Sequence, residues 1–349
     1  MKNLILSFIS LLAVHSAQSQ KNSLKKYLEK QDASITDTVI CLKSSDSVWA
    51  DLPVTLIRGS EKGPTLTLAA GIREGGFSAA ASLLQLRREI MPKKLKGNLI
   101  IIPYADVQRY SGRSSQSDNI RMSHLSDAFP GSAKGTAAEL IADFISTGVF
   151  DATDIFLELN GCYSGSDPIA FMCYYDNAEF MQQTMLAYRL TEASGLGTIL
   201  SHPYPLSSGE PSKCAVKQAV RLGIPSLSMT LGGYEKQGSS SQPSAEEALY
   251  RIMAELEIYN NGTTKPSRAK KFRYNRKACI KVPFQGIFCS SIKPGDKIKE
   301  SQKIGNLTDI FSNRKKTLRA PESGTVLYKT DADAVNADET VICIGYRIQ

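Results

Sequence analysis

The chain has 349 residues, room for two or three domains at ~150 residues each. Hydrophobic residues make up 42% and charged residues 22%, which excludes disordered and fibrous classes, and with only three His a site needing several imidazoles has to use nearly all of them. The net charge of +8, 42 basic against 34 acidic, suits acidic surfaces or anionic small molecules, while the lack of an Arg-rich helix, zinc finger or aromatic nucleic-acid signature argues against a nucleic-acid partner.

Residues 1–20 read MKNLILSFISLLAVHSAQSQ. Lys2 supplies a positive start, residues 4–14 a mostly apolar run, and Ala17-Gln18-Ser19 a small-x-small cleavage site. This is the pattern of a signal peptide at 1–19. Eleven residues are too few to cross a hydrocarbon core of ~30 Å at ~1.5 Å per residue, and no later stretch reaches the length of a span. The expectation is an exported protein, periplasmic or secreted, with no membrane span.

Seven cysteines (41, 162, 173, 214, 279, 289 and 343) are scattered without a CxxC pair. An odd number at irregular spacing argues against a disulfide framework and against a Cys-based zinc site. Cys173, Cys279, Cys289 and Cys343 sit in apolar, strand-like runs and read as small core residues. Cys162 lies in a Gly/Ser-flanked turn.

In chain order, residues 21–29 predict a charged helix, and 38–43 and 47–58 alternating strands. Residues 64–71 (PTLTLAAG) predict a buried strand ending in Gly. A helix is expected over 78–90, with Leu83, Leu84, Leu86 and Ile90 on its apolar side. A second buried strand is GNLIIIP at 97–103, then a helix at 136–146 and the strand DIFLEL at 154–159. Helices follow at 180–194 and 214–222, a strand at 225–231, and a last helix at 243–260. Continuous apolar strands alternating with helices imply an α/β fold, a mostly parallel sheet with helices on both faces. In such sheets reactive loops cluster at the carboxyl ends of the strands, here the loops starting at Gly71, Pro103, Asn160 and Thr230.

Residues 265–277, within the basic stretch NGTTKPSRAKKFRYNRK, read as a linker, with a polyanion-binding arm as the sharper alternative. From 278 to 349 the pattern changes to short β segments between Pro-Gly, Asn and Glu-Ser-Gly turns, a small all-β module. The domains expected are therefore 20–264, α/β, and 278–349, all-β.

Several of these pieces together resemble a known family. LPVTLIRGSEKGPTLTLAAGI, KGNLIIIPYAD, FPG at 129–131, the AAELIA helix, ATDIFLELN and GIPSLSMTLGG, followed by FQGIFCSSIKPGDKIKESQKIGNLTDIF and RAPESGTVL, occur in an order and spacing that resembles the succinylglutamate desuccinylase/aspartoacylase family from about Leu52 onward. The resemblance implies a zinc-carboxypeptidase-like α/β domain, a C-terminal lipoyl-like β barrel, and zinc-dependent amide hydrolysis. A catalytic zinc needs three protein ligands and an open position for water. The family's first loop carries His-Gly-x-Glu; here it reads Gly71-Ile72-Arg73-Glu74-Gly75-Gly76, with Arg73 at the His position and Gly76 at the Glu position. Asn160 stands where the second His follows a later strand, and Thr230 where the general-base Glu belongs. His124-Leu125-Ser126-Asp127 replaces the family's substrate-binding Asn-Leu-Asn-Arg, so Asp127 puts a negative charge where a carboxylate clamp stood. Arg113 matches another substrate-side Arg.

The metal positions have lost their chemistry: a guanidinium does not deprotonate to coordinate a cation, and a threonine hydroxyl does not take a proton from water near neutral pH. The expectation is a dismantled hydrolase centre with no zinc cofactor. In it Arg73, Glu74, Arg113, Asp127, Glu158 and Asn160 bind a small carboxylate, or the chain meets a protein partner. Arg73 and Glu74 read as an adjacent ion pair in the space a metal vacated. One rival is an active deacylase or carboxypeptidase-like amidase with a relocated site, built from Cys162 and His124 with a carboxylate, or from a hard cation on Glu74, Glu158, Asp127 and His124. Another is a scaffold whose C-terminal module does the work.

Overall fold

The computed structural model describes residues 24–30, 32–44, 48–73, 77–107, 124–161, 166–205, 211–232, 243–262, 270–311 and 313–348. The leader, Glu74, Gly76, Arg113 and Cys162 lie outside the described residues. Along the chain come β1 (Ser34–Lys43), β2 (Trp49–Arg58), β3 (Glu61–Ala70), α1 (Phe77–Glu89), β4 (Lys96–Ile102), α2 (Ala137–Phe144), β5 (Ile155–Asn160), β6 (Ser166–Pro168) and β7 (Phe171–Asp176). They are followed by α3 (Met181–Ala193), β8 (Thr198–Pro203), α4 (Ala215–Arg221), β9 (Ser226–Thr230), α5 (Ala245–Glu255) and β10 (Phe272–Tyr274).

All of these strands except β6 form one nine-stranded sheet in the order β1-β2-β4-β3-β5-β9-β7-β8-β10. The pairs β4–β3, β3–β5, β5–β9, β7–β8 and β8–β10 are parallel, and β1–β2, β2–β4 and β9–β7 antiparallel. The apolar runs of β3, β4 and β5 follow from cover on both faces. On one face Leu66, Leu68, Leu99, Ile101, Leu157 and Met229 pack with Leu83 and Leu86 of α1, Leu190 of α3 and Leu249 and Met253 of α5. On the other, Ala69, Ile100, Ile102 and Phe156 pack with Leu140, Ile141 and Phe144 of α2 and Ala215, Val216 and Ala219 of α4.

The four central parallel strands β4, β3, β5 and β9 bring the ends at Pro103, Gly71, Asn160 and Thr230 side by side, as the spacing predicts. From β3 the chain goes to β4 on one side, and later to β5 on the other. Such a reversal of direction opens a crevice at the carboxyl ends of the strands. Gly71, at φ +68, makes the turn out of β3, and a Cβ there would stand 2.8 Å from the Tyr104 ring. Only glycine allows both the left-handed backbone and that approach.

The C-terminal module continues with β11 (Arg276–Lys281), β12 (Gly286–Cys289), β13 (Lys297–Ile298), β14 (Lys303–Thr308), β15 (Lys315–Arg319), β16 (Gly324–Thr330), β17 (Ala334–Val335) and β18 (Thr340–Tyr346). They form two antiparallel sheets, β11-β18-β16-β13 and β15-β14-β12-β17, around Val282, Phe288, Ile304, Leu307, Val326 and Ile342. Two features tie the module to the large sheet. β6 pairs with β16, and Leu327 joins Cys173 and Leu200 in a small apolar cluster against Ile169, Phe171 and Tyr274. β10, inside the stretch read as a linker, is a strand on the edge of the large sheet.

Two of the four cysteines read as core are not in the core. Cys173 and Cys343 are buried, but Cys279 and Cys289 are exposed. Both sit on strands whose residues alternate between buried or half-buried and exposed, so their apolar neighbours in sequence face the opposite side.

Candidate functional site

The site is built on the face of the large sheet that carries Phe156. Along β5, residues 156, 158 and 160 point to that face. Register then puts Glu158 between Ala69 of β3 and Ser228 of β9, and Asn160 beside Thr230. Across β9, Cys173 of β7 lies next to Ser228 and Phe171 next to Thr230. A polar row therefore crosses an otherwise apolar layer at the strand ends.

Glu158 is 1% exposed, and a carboxylate removed from water needs a counter-charge. Arg73, from the loop after β3, supplies it: its Nε–H donates to Glu158 Oε1 at 3.0 Å. The Arg73 side chain is 47% exposed, so the guanidinium spans from the buried carboxylate to solvent. The negative charge of Glu158 raises the Arg73 pKa further, against the opposing effect of burial. The pairing expected between Arg73 and Glu74 lies outside the described residues because Glu74 does; the counter-charge described for Arg73 is Glu158.

Two acceptors in this row have no hydrogen-bond partner among the described residues, Glu158 Oε2 and Asn160 Oδ1. Cys214, which precedes α4, and Tyr175 of β7 close the site from the side, Tyr175 Oη and Cys214 Sγ lying 4.0 Å apart. Burial raises the pKa of Cys214, with the charge of Glu158 adding to it. Burial also raises Tyr175 and pushes Cys173 up to about 12. These thiols and the phenol are neutral near pH 7, so neither cysteine is a ready nucleophile.

In front of Arg73 lies a small cleft lined by Gly71, Ile72, Arg73, Tyr104, Asp106, His124, Leu125 and Ser126. Of the residues singled out in the sequence, the structure thus gathers Arg73, Glu158, Asn160 and Thr230 at adjacent strand ends and brings His124 to the cleft. Asp127 is exposed on the one-turn helix Leu125–Asp127 and does not line that cleft. Tyr175, Cys173 and Cys214 belong to the site without having been singled out for it. The only sequence signal for them is the aromatic run FMCYYD and a cysteine at a helix start.

Zinc takes His, Cys or carboxylate donors. At the described positions where the resemblance implies ligands stand a guanidinium that only donates and an amide. Among the described residues no three His, Cys, Asp or Glu side chains converge. The described residues at these positions do not fit a zinc ion. What they can do is hold an anion with a fixed positive charge at the rim and offer acceptors beneath it.

No family model matches the chain. It is 22% identical over 316 residues, 87% of this chain and 89% of the relative, to the N-alpha-acetyl-L-2,4-diaminobutyric acid deacetylase of Halomonas elongata. Among solved structures it is similar to a succinylglutamate desuccinylase from Silicibacter sp. TM1040, with TM-score 0.75, 18% identity, and 91% and 96% of the two chains covered. It is also similar to a succinylglutamate desuccinylase/aspartoacylase from Rhodobacter sphaeroides, with TM-score 0.76, 16% identity, and 92% and 97% covered. The product-bound ectoine utilization protein EutE (DoeB) from Ruegeria pomeroyi gives TM-score 0.74, 17% identity, and 91% and 97% covered.

Proposed function

We propose, for a chain built on the succinylglutamate desuccinylase/aspartoacylase fold, that it is an exported, non-catalytic binder of a small carboxylate. The observation that carries this reading is the Arg73–Glu158 pair. A guanidinium stands where the resemblance implies a ligand in the first loop, and a buried carboxylate pairs with it. Its bond to Glu158 uses Nε, and the fork of Arg nitrogens suits a ligand carboxylate. Glu158 Oε2 and Asn160 Oδ1, without a hydrogen-bond partner among the described residues, add a second requirement. A ligand that brings an N–H or O–H donor beside its carboxylate would satisfy buried acceptors that otherwise cost about 1–3 kcal/mol each. Thr230 at the general-base position supplies no proton shuttle. The leader at residues 1–19 takes the protein out of the cytoplasm.

The test is thermal stability of the purified protein against simple carboxylates, amino acids and N-acyl amino acids, with Arg73→Ala alongside. At least one compound carrying both a carboxylate and a donor is expected to raise the Tm by several degrees at saturation. That rise is expected to vanish in Arg73→Ala while its far-UV circular dichroism stays native. Chelator-sensitive deacylation with stoichiometric bound zinc would overturn the proposal, as would an equal ligand response in the variant or no response to any compound.

A further inference from the structure

β11 is the first strand of the C-terminal module and β18 the last. They pair antiparallel with Cys279 directly opposite Cys343. Opposed residues of an antiparallel pair have Cα atoms ~4.5 or ~5.5 Å apart, depending on their hydrogen-bonding position. Both values fall inside the ~4.4–6.8 Å range of disulfides. Residues opposite each other project to the same face of the sheet, which sets the two thiols side by side. We propose that Cys279 and Cys343 form a redox-active pair that closes to a disulfide joining the two ends of the C-terminal module.

The two thiols are differently disposed. Cys279 is exposed, on an edge strand, whereas Cys343 is buried in the central strand. The hydrogen bond from Cys343 lowers Cys279 to about 6 against the effect of burial, with Lys277 and Lys281 adding positive charge on the same strand face. The same contact raises Cys343. Cys279 is therefore the attacking thiolate and Cys343 the resolving thiol. The oxidant is a small disulfide such as glutathione disulfide. Cys279 sulfur bonds to one of its sulfurs and expels the other as a thiol. Cys343 then loses its proton, bonds to Cys279 and expels the second thiol. Two protein thiols and one small disulfide become one protein disulfide and two small thiols, with two electrons passing to the small disulfide. The bond ties residue 279 to residue 343, so nearly the whole module becomes a closed loop in the unfolded chain, and the folded module gains stability.

The experiment equilibrates the full chain with glutathione disulfide, blocks remaining thiols with iodoacetamide, digests the protein and maps linked peptides by mass spectrometry. The expected result is one linked pair containing residues 279 and 343, a Tm raised by roughly 5 °C over the reduced protein, and loss of both effects in Cys279→Ser and in Cys343→Ser. Before oxidation, Cys279 is expected to alkylate faster than Cys41, which is also exposed but whose thiol is raised by a hydrogen bond with Asp51. Full alkylation of both cysteines after equilibration would overturn the proposal, as would pairing of Cys279 with glutathione alone or with a different cysteine.

Discussion

A carboxylate that is 1% exposed in an apolar layer, as Glu158 is, is costly unless a positive charge reaches it. Arg73 does so from a loop whose other end is in water. Removing the guanidinium strands the charge, so Arg73→Ala is expected to lose ~1–3 kcal/mol of stability in urea unfolding. This lies below the range for fully buried pairs, because Arg73 is half exposed and water can partly replace it. Neutralising the partner as well, with Arg73→Ala and Glu158→Gln together, is expected to recover most of that loss. A double variant no more stable than Arg73→Ala would show that the pair does not act as a unit.

Elements were legible where local chemistry and pattern agreed. The helix expected from residue 136 begins with a capping box: the Thr136 side chain accepts from the Glu139 backbone N–H while Glu139 reaches back to Thr136. The same device opens α5 through Ser244 and Glu247. β3 and β4 announce themselves as apolar runs ending in a turn. β8 was not legible, because TILSHP is short and polar in its second half, and only its parallel neighbours β7 and β10 make it a strand. The turn out of β3 sets where Arg73 sits, and Gly71 is the residue that permits it. Gly71→Ala is expected to cost roughly 2 kcal/mol, from the left-handed backbone and the contact with Tyr104. A loss under ~0.5 kcal/mol in denaturant unfolding would mean that the loop relaxes freely.

At the scale of the molecule, the two parts of the chain are joined by sheet pairing, and a half-buried imidazole sits among positive charges. His202 of β8 packs beside Tyr175, ring centroids 5.7 Å apart. Burial lowers its pKa to about 4, helped by Lys277, Lys217 and Arg276. The folded form keeps His202 neutral, whereas the unfolded chain protonates it near 6.5. Stability from this group is therefore complete above about 6.5 and falls as the pH drops towards about 4. The slope is at most about 1.4 kcal/mol per pH unit. His202→Gln is expected to flatten the stability profile in that window and leave the profile above pH ~7 unchanged in shape. An unaltered acid limb in the variant would assign the loss to other groups.

Periodicity and turn chemistry along the chain were enough to specify an α/β layer with reactive loops at Gly71, Pro103, Asn160 and Thr230 and an all-β end, because those signals are local. Arg, Asn and Thr at positions 73, 160 and 230 were also readable, since a side chain's donor chemistry does not depend on its surroundings. The partner of Arg73, the recruitment of Tyr175 and Cys214, the opposition of Cys279 and Cys343 and the depth of His202 were decided only by tertiary structure. Each depends on strand register or on burial, which bring together residues 39 to 85 positions apart and place them at a depth no local window reports.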